Sequence, residues 1–415
     1  MFSVFPCPLI LREWLHAQIP KWKACLSRTL RPSSPVVQGA ALCLLTFCVV
    51  LPLACHKLLY SYYYWKSLYL DSMSQAALQE SWERGQQALR HWQAAPENPT
   101  PGFVQQVGQG VSDGERGELL ITVVTARRQE QGLQYHYLLQ VALQLQGLLE
   151  ACPGCAEVLV CNVEGVPRDH EDAELLKKRF RVEEKHREYQ PPDVPNLFEK
   201  EKQDYVYCLK RGLEVYQPRD VLMLEDDALP LESLLPALRE IMSRRFYHGA
   251  LYVKLYHPER LQRYWNPEPC RILEWLGAGG LGSSLLCLLL ACARGMAPRL
   301  GLGFLFLTLY IMLVCELFGR HYLLELRRLS PQLLSVSPAT ECCTPAMLYP
   351  RAAVERVVGY LSEVTCRRGH AKDMALYRAL RDRSWERAYS VEPNLVRHIG
   401  AFSSVRASHP QPRLL

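Results

Sequence analysis

Three consecutive acids, Glu225-Asp226-Asp227, follow directly on the apolar run Val221-Leu-Met-Leu224. Adjacent carboxylates repel one another. A hard divalent cation relieves that repulsion, and oxygen donors select Mg²⁺ or Mn²⁺. A cation held there can bridge protein carboxylates to a diphosphate and stabilise the charge on the departing phosphate. In extended backbone successive side chains alternate, which predicts Glu225 and Asp227 on one side and Asp226 on the other. The plainer alternative is a solvated acidic loop, but a triplet closing a buried strand favours the cation. Arg127 and Arg128 could reach a phosphate, although they read more simply as solvated.

The elements that must position these acids have an α/β pattern. Leu119-Leu-Ile-Thr-Val-Val-Thr125 is a short β-branched run suited to a buried parallel strand. Residues 135–150 read as a helix, 157–162 as a second strand, 198–216 as a helix ending near Pro218, and 220–224 as a third strand. The charged stretch 167–195 reads as loop and surface helix. After a long apolar interruption, ordered chain resumes at 336–349, with a helix at 372–381 and a strand at 388–391. Strand–helix alternation predicts a parallel sheet with ligand groups at the strands' C-terminal ends.

The 415 residues carry 48 Lys and Arg against 42 Asp and Glu, with 49% hydrophobic and 22% charged residues. That balance excludes a disordered chain. The 24 glycines are too few for a collagen-like repeat. A net charge of +6 is too dilute to point to nucleic acid, which is excluded as a partner. The apolar content is concentrated in three runs, 36–55, 275–293 and 300–318, each close to the length that spans a bilayer core. The last two are separated only by 294–299, a tight basic turn, and so read as a transmembrane hairpin. Arg12, Lys21, Lys23, Arg28 and Arg31 precede the first run against one acid, Glu13, which places the N-terminus in the cytosol. The predicted layout is a cytosolic tail (1–35), a signal-anchor helix (36–55), a luminal stem and linker (56–117), and a domain in two parts (118–274 and 319–415). The hairpin, with helices at 275–293 and 300–318, divides that domain.

Residues 58–91 read as the stem helix, with Leu78, Trp82, Leu89 and Trp92 on one face, and 94–117 as a Pro-, Gly- and Gln-rich spacer. Eight of the sixteen cysteines, Cys152, Cys155, Cys161, Cys208, Cys270, Cys342, Cys343 and Cys366, fall in the luminal parts, where disulfides are permitted. Their connectivity is not legible from spacing. Cys152-Pro-Gly-Cys155 follows a helix rather than starting one and has no second CxxC. It therefore reads as a structural disulfide or free pair, not a redox or zinc site.

The residues Val221-Leu-Met-Leu-Glu-Asp-Asp-Ala228 resemble the DXD region of nucleotide-sugar-dependent GT-A glycosyltransferases. Glu199-Lys-Glu-Lys-Gln-Asp-Tyr-Val-Tyr-Cys208, Leu255-Tyr-His-Pro-Glu-Arg260, Cys342-Cys-Thr-Pro-Ala-Met-Leu348 and Glu392-Pro-Asn-Leu-Val-Arg-His-Ile-Gly400 narrow the likeness. Together they resemble the Golgi GPI-anchor N-acetylgalactosamine transferase family, from the first span nearly to the C-terminus. The helix with Lys202-Gln-Asp-Tyr205 and the tail with Ser403-Ser404 are also similar to branching N-acetylglucosaminyltransferases of that superfamily.

The resemblance implies a GT-A-like domain in the Golgi lumen that transfers GalNAc from UDP-GalNAc to the first mannose of the GPI glycan on GPI-anchored proteins. The linkage would be β, formed with inversion, with a divalent cation, Mn²⁺ foremost. It implies Asp227 and His398 as metal ligands, and Glu225 and Asp226 near metal, ribose or sugar. It places Thr122, Val123, Val124 and Thr125 by the nucleotide and Thr344, Pro345, Ala346 and Met347 in a loop against the donor. Asp373, at a helix start, would be the general base. An acid there also simply suits the helix dipole, a lone His is often structural, and most of the 122–125 strand is expected to be core. Competing readings are a related transferase with another donor or acceptor, and a catalytically inactive membrane scaffold. Orientation has a direct check: a C-terminal tag in sealed Golgi vesicles is expected to resist external protease, and cleavage without detergent would reverse the topology.

Overall fold

The computed structural model describes residues 31–95, 118–128, 133–164, 170–185, 194–257, 269–294, 301–341 and 343–401. The helices are α1 (Pro35–Cys55), α2 (Lys66–Ala94), α3 (Tyr137–Ala151), α4 (Glu171–Leu176), α5 (Leu197–Tyr216), α6 (Leu234–Ser243), α7 (Pro269–Arg294), α8 (Leu302–Leu324), α9 (Arg351–Ser362) and α10 (Lys372–Asp382). The strands are β1 (Leu119–Thr125), β2 (Glu157–Asn162), β3 (Arg181–Glu184), β4 (Asp220–Glu225), β5 (Ala228–Pro230), β6 (Tyr252–Lys254), β7 (Ser335–Pro338), β8 (Ala346–Pro350), β9 (Ala388–Glu392) and β10 (Val396–His398). Most of the expected tail (1–30) and linker (96–117), the turn at 295–299, residues 258–260, Cys342 and Ser403-Ser404 lie outside the described residues.

The chain forms two compact units, one within Met1–Lys66 and Pro267–Arg320, the other within Ser67–Asn266 and His321–Leu415. The first holds helices long and apolar enough to cross a membrane, at Pro35–Cys55, Ile272–Ala293 and within Leu302–Leu329. α1 starts where Ser34 accepts from the Val36 N–H at 3.3 Å and Pro35 sets the first turn. Leu44, Leu281, Leu288 and Leu305 are exposed along these helices, which suits lipid and not water. α7 meets α8 through small residues. A Cβ on Gly279 would lie 2.6 Å from Thr308 O and from Met312 Cγ, so only glycine allows that approach. Thr308 Oγ1 donates to Ser283 Oγ at 3.1 Å across the same contact. These helices mark the chain as a membrane protein.

The second unit is a mixed α/β structure on an eight-stranded sheet, in the order β3-β2-β1-β4-β8-β6-β9-β7. β1 pairs in parallel with β2 and β4, and β2 with β3. β8 runs antiparallel to both β4 and β6, while β9 is parallel to β6 and antiparallel to β7. The C-terminal ends of β1, β4, β6 and β9 therefore share one edge with the starts of β7 and β8. Strands encoded after α8 lie on both sides of β6, so the sheet requires chain from both sides of the apolar helices. β3, β5, α6, β6, α9 and β10 were not anticipated from sequence.

Helix α2 corrects the stem expectation. Its Ala88 and Trp92 are fully buried in the core of the second unit. Trp92 Nε1 donates to Leu139 O at 3.2 Å, and a Cβ on Gly85 would come within 2.0 Å of Tyr135 O. The face carrying Leu89 and Trp92 docks on α3 and is part of the α/β unit, because burying an indole of that size stabilises by kilocalories. Disulfides join Cys152 to Cys155 and Cys161 to Cys208, the second linking β2 to α5, and Cys343 is disulfide-bonded as well. Cys366 is a buried free thiol.

Candidate active site

The order β2-β1-β4 reverses the direction of strand addition at β1. In open α/β sheets a crevice opens at such a switch point, outside the strands' C-terminal ends. The acidic triplet lies there. β4 ends at Glu225, and Asp226-Asp227 form the turn into β5. Three backbone bonds fix the turn. The Asp226 N–H donates to Val124 O at 3.1 Å, the Glu225 N–H to Pro345 O at 2.8 Å, and the Ile399 N–H to Asp227 O at 2.9 Å. β1, the loop before β8 and the residues after β10 thus converge on three residues.

Because the backbone turns after Glu225, strict alternation fails, and this corrects the sequence expectation. Asp226 and Asp227 share one partner, and Glu225 has another. Arg128 makes an ion pair with Asp226 and a 2.8 Å pair with Asp227 Oδ2, and its guanidinium lies 5.3 Å from the centre of the Tyr137 ring. The solvated reading of Arg128 is therefore wrong. Burial opposes the Arg128 cation, but the two carboxylates outweigh that and raise its pKa. Arg127 is exposed, with its N–H donating to Glu164 Oε2 at 3.1 Å.

Asp226 and Asp227 are 6% and 3% exposed, so their charges are set by neighbours and not by water. Burial, reinforced by Asp227, pushes the Asp226 carboxyl up despite Arg128. Burial also opposes ionisation of Asp227, yet Arg128 and His398 together hold it below the usual carboxylate range. Thr125 Oγ1 donates to Asp226 Oδ2 at 2.9 Å, which leaves its lone pairs to accept from His170 Nε2, also at 2.9 Å. His398 Nε2 stands 3.5 Å from Asp227 Oδ2. A Cβ on Gly400 would fall 1.9 Å from that same oxygen, so glycine there is a condition of the Asp227 position.

Glu225 turns the other way. Lys372 Nζ, buried at the start of α10, lies 2.8 Å from Glu225 Oε1 and 2.6 Å from Glu201 Oε1, and 5.0 Å from the Tyr205 ring centre. Burial opposes the Lys372 charge, but the two glutamates outweigh it and raise its pKa. Thr344 Oγ1 donates to Glu225 at 3.4 Å. Asp373 accepts from the Cys343 N–H at 3.2 Å and from the Met374 N–H at 2.8 Å. At the end of β6, Lys254 is 1% exposed and its Nζ donates to Thr340 O at 2.6 Å. Burial lowers its pKa to about 8, against the pull of Asp373 and Glu341.

Thr125, Glu225, Asp226, Asp227, Thr344, Pro345 and His398 are thus joined by direct contacts around the turn, with Val124 contributing its carbonyl. Thr122 is enclosed against α5, its Oγ1 3.1 Å from where a Cβ on Gly212 would stand. Val123 and Ala346 lie in one apolar core layer and Met347 in the other. Arg128, His170, Lys372, Lys254 and Gly400 were missed as site residues. Their only sequence signal is residue type, because their partners are remote along the chain. Beside the turn an open pocket of ≈ 500 Å³ is lined by Arg127, Arg128, His136, Tyr137, His170 and Asp226, among others.

Among the described residues no three His, Cys, Asp or Glu side chains gather as a metal cage. Asp227 Oδ1 and His398 Nδ1 are nevertheless buried without hydrogen-bond partners. A carboxylate oxygen and an imidazole nitrogen suit a cation that takes its remaining ligands from phosphate and water.

The switch-point crevice, the buried acidic turn and the membrane-length helices define a membrane-associated α/β protein with a buried polar cluster at the centre of its sheet. Residues 119–397 match the family described as GPI-N-acetylgalactosamine transferase PGAP4, and the chain belongs to that family. It is a glycosyltransferase, and the matched region contains every site residue named above except His398, Ile399 and Gly400, which lie just past its end.

Removing Arg128 leaves two buried carboxylates without their cation. Arg128→Met is expected to destabilise the α/β unit by about 3–5 kcal/mol, read as a lowered denaturant midpoint; an unchanged midpoint would show that the turn is neutralised otherwise. Lys254 has the opposite sign. Between its folded pKa of about 8 and the ordinary 10.5, the unfolded chain keeps a proton that the folded chain has released, so stability rises with pH. The melting temperature of the wild type should gain on that of Lys254→Met as pH rises from about 8 to about 10; a constant gap would mean that Lys254 titrates normally.

Proposed function

We propose that the protein transfers GalNAc from UDP-GalNAc to the first mannose of the GPI-anchor glycan on GPI-anchored proteins, in the Golgi membrane, with the α/β unit in the lumen and the N-terminus in the cytosol. The observation that carries this reading is the buried acidic turn at the sheet's switch point, in a chain of this family. The disulfides Cys161–Cys208 and Cys152–Cys155 support an oxidising lumen.

The donor is an α-glycoside and the proposed product is β, so the reaction inverts in one displacement. The acceptor hydroxyl loses its proton to Asp373, which the Cys343 and Met374 N–H groups hold in place at the start of α10. The acceptor oxygen attacks the anomeric carbon from the face opposite UDP. The bond from that carbon to the β-phosphate oxygen breaks, and its electron pair leaves with UDP. A divalent cation, Mn²⁺ foremost, would be held by Asp227 with His398, and would supply charge stabilisation for the diphosphate. Thr125, Asp226 and the pocket lined by Arg127 and His170 receive the nucleotide. Lys372 holds Glu225 towards the sugar. Thr344 and Pro345 close the donor loop.

The test is GalNAc transfer by the purified full chain to a GPI acceptor, followed by mass spectrometry of the product and by UDP release. Transfer should need Mn²⁺ after chelation, and Asp227→Asn should lower kcat/KM roughly 100-fold or more. A folded Asp227→Asn protein with full activity would remove the catalytic assignment. Preference for another nucleotide sugar would remove the donor assignment alone.

A further inference from the structure

The segment after α8 presents an apolar surface that the transferase reaction does not use. Two short 3₁₀ turns, Glu325–Leu329 and Pro331–Leu333, connect α8 to β7. Leu324 and Leu334 at either end are buried, at 2% and 6% exposure. Between them Leu326, Leu329 and Leu333 point outwards, at 61%, 81% and 50% exposure. Residues three apart eclipse on a 3₁₀ turn, so Leu326 and Leu329 project side by side. Three large leucines held outward within eight residues are unfavourable in water.

The segment is held and not merely exposed. Arg244, at the end of α6, donates to Leu334 O at 3.2 Å, Gln332 O at 3.0 Å and Pro331 O at 3.5 Å, with Glu240 fixing its Nε at 2.9 Å. Arg327 Nη1 donates to Leu333 O at 3.2 Å, and Arg328 pairs with Glu325. The leucines therefore belong to the α/β unit as a rigid feature.

Sequence continuity identifies the occupant. The apolar stretch of α8 runs from Leu302 to Phe318 with Glu316 near its end as the one charged residue, and Gly319, at φ 127° and ψ 102°, breaks the helix. Seventeen residues span roughly 26 Å, just short of a bilayer core. The following residues include Arg320, Glu325, Arg327 and Arg328, too charged for hydrocarbon. Leucines between arginines suit the interface, where apolar groups enter the acyl boundary and guanidinium groups meet phosphates.

We propose that Leu326, Leu329 and Leu333 form an interfacial foot that seats the α/β unit on the luminal leaflet. The foot leads into Ser335 of β7, which pairs with Glu392 at the C-terminal end of β9. That is the edge of the sheet bearing the acidic turn, four strand positions or roughly 19 Å away. The foot thus turns the active edge towards the surface that carries a lipid-linked acceptor, and in this respect it rests on the proposed function.

Full-length protein in phosphatidylcholine nanodiscs, with p-benzoyl-phenylalanine in place of Leu329, should form a lipid adduct on irradiation. The same photoprobe in place of Leu133, an exposed residue of the α/β unit remote in sequence, should not. No adduct at position 329, or equal adducts at both, would overturn the foot. This readout needs no turnover, so it stands apart from the donor and acceptor assignments. The triple variant Leu326→Ser, Leu329→Ser, Leu333→Ser should show a several-fold loss of transfer to bilayer-embedded acceptor and unchanged transfer to the same glycan in solution. Equal rates on both acceptors would deny the foot its orienting role.

Discussion

Two buried carboxylates sit side by side on one turn, and the rest of the second unit answers that constraint. Their mutual repulsion in a low-dielectric interior would far exceed what a small domain can absorb unless it is compensated. Arg128 compensates it from the loop after β1, Thr125 and His170 from the β1–β2 side, and His398 from the end of β10. Each contributor comes from a different part of the chain, so the turn is a meeting point for β1, β4, β8 and β10. The outcome is asymmetric. Asp227 is held as the anion while Asp226 is pushed towards the neutral form. One fixed negative charge beside an arginine-lined pocket is a suitable setting for a ligand that brings its own phosphates.

The topology places this meeting point away from both edge strands, β3 and β7. β1 and β4 lie third and fourth in the order, and β8, encoded after the apolar helices, completes the hydrogen bonding of β4. Lys372 and Asp373, also encoded late, bring the Glu225 side chain and the loop at 343–345 into one network. The early segment supplies the acids together with Arg128, Thr125 and His170, and the late segment supplies Lys372, Thr344 and His398.

Much of this was legible in the sequence for identifiable reasons. Long apolar runs are unambiguous, and 36–55 and 275–293 differ from the observed helices by at most a few residues. β1, β2 and β4 were readable because β-branched runs between helices have few other uses. β3, β5 and β10 have three or four residues each, too few for a period to show. The triplet was legible as charge, but not its geometry, because nothing in Glu-Asp-Asp says that the strand stops after its first member. Arg128 was misread because exposure is the ordinary state of an arginine and its partners lie about 100 residues away. The amphipathic face of α2 was visible, but its destination was not. Leu89 and Trp92 fit a partner helix equally well whether that helix belongs to a stem or to the core.

The position of β8 in the sheet also bears on how the protein is made. Until β8 emerges, β4 has an open edge, and β6 has neither of its neighbours, since β9 comes later still. About 120 residues separate the end of β4 from the start of β8, or some ten seconds of synthesis at ~5–20 residues per second. During that interval α7 and α8 must find their place in the bilayer, while apolar strands wait with unpaired backbone. An exposed strand edge is a template for aggregation, so the nascent chain carries that hazard until β8 and β9 pair with β4 and β6. The same arrangement makes insertion a checkpoint: the acidic turn reaches its final form only in molecules whose apolar helices have been delivered and whose strands β8 and β9 have joined the sheet.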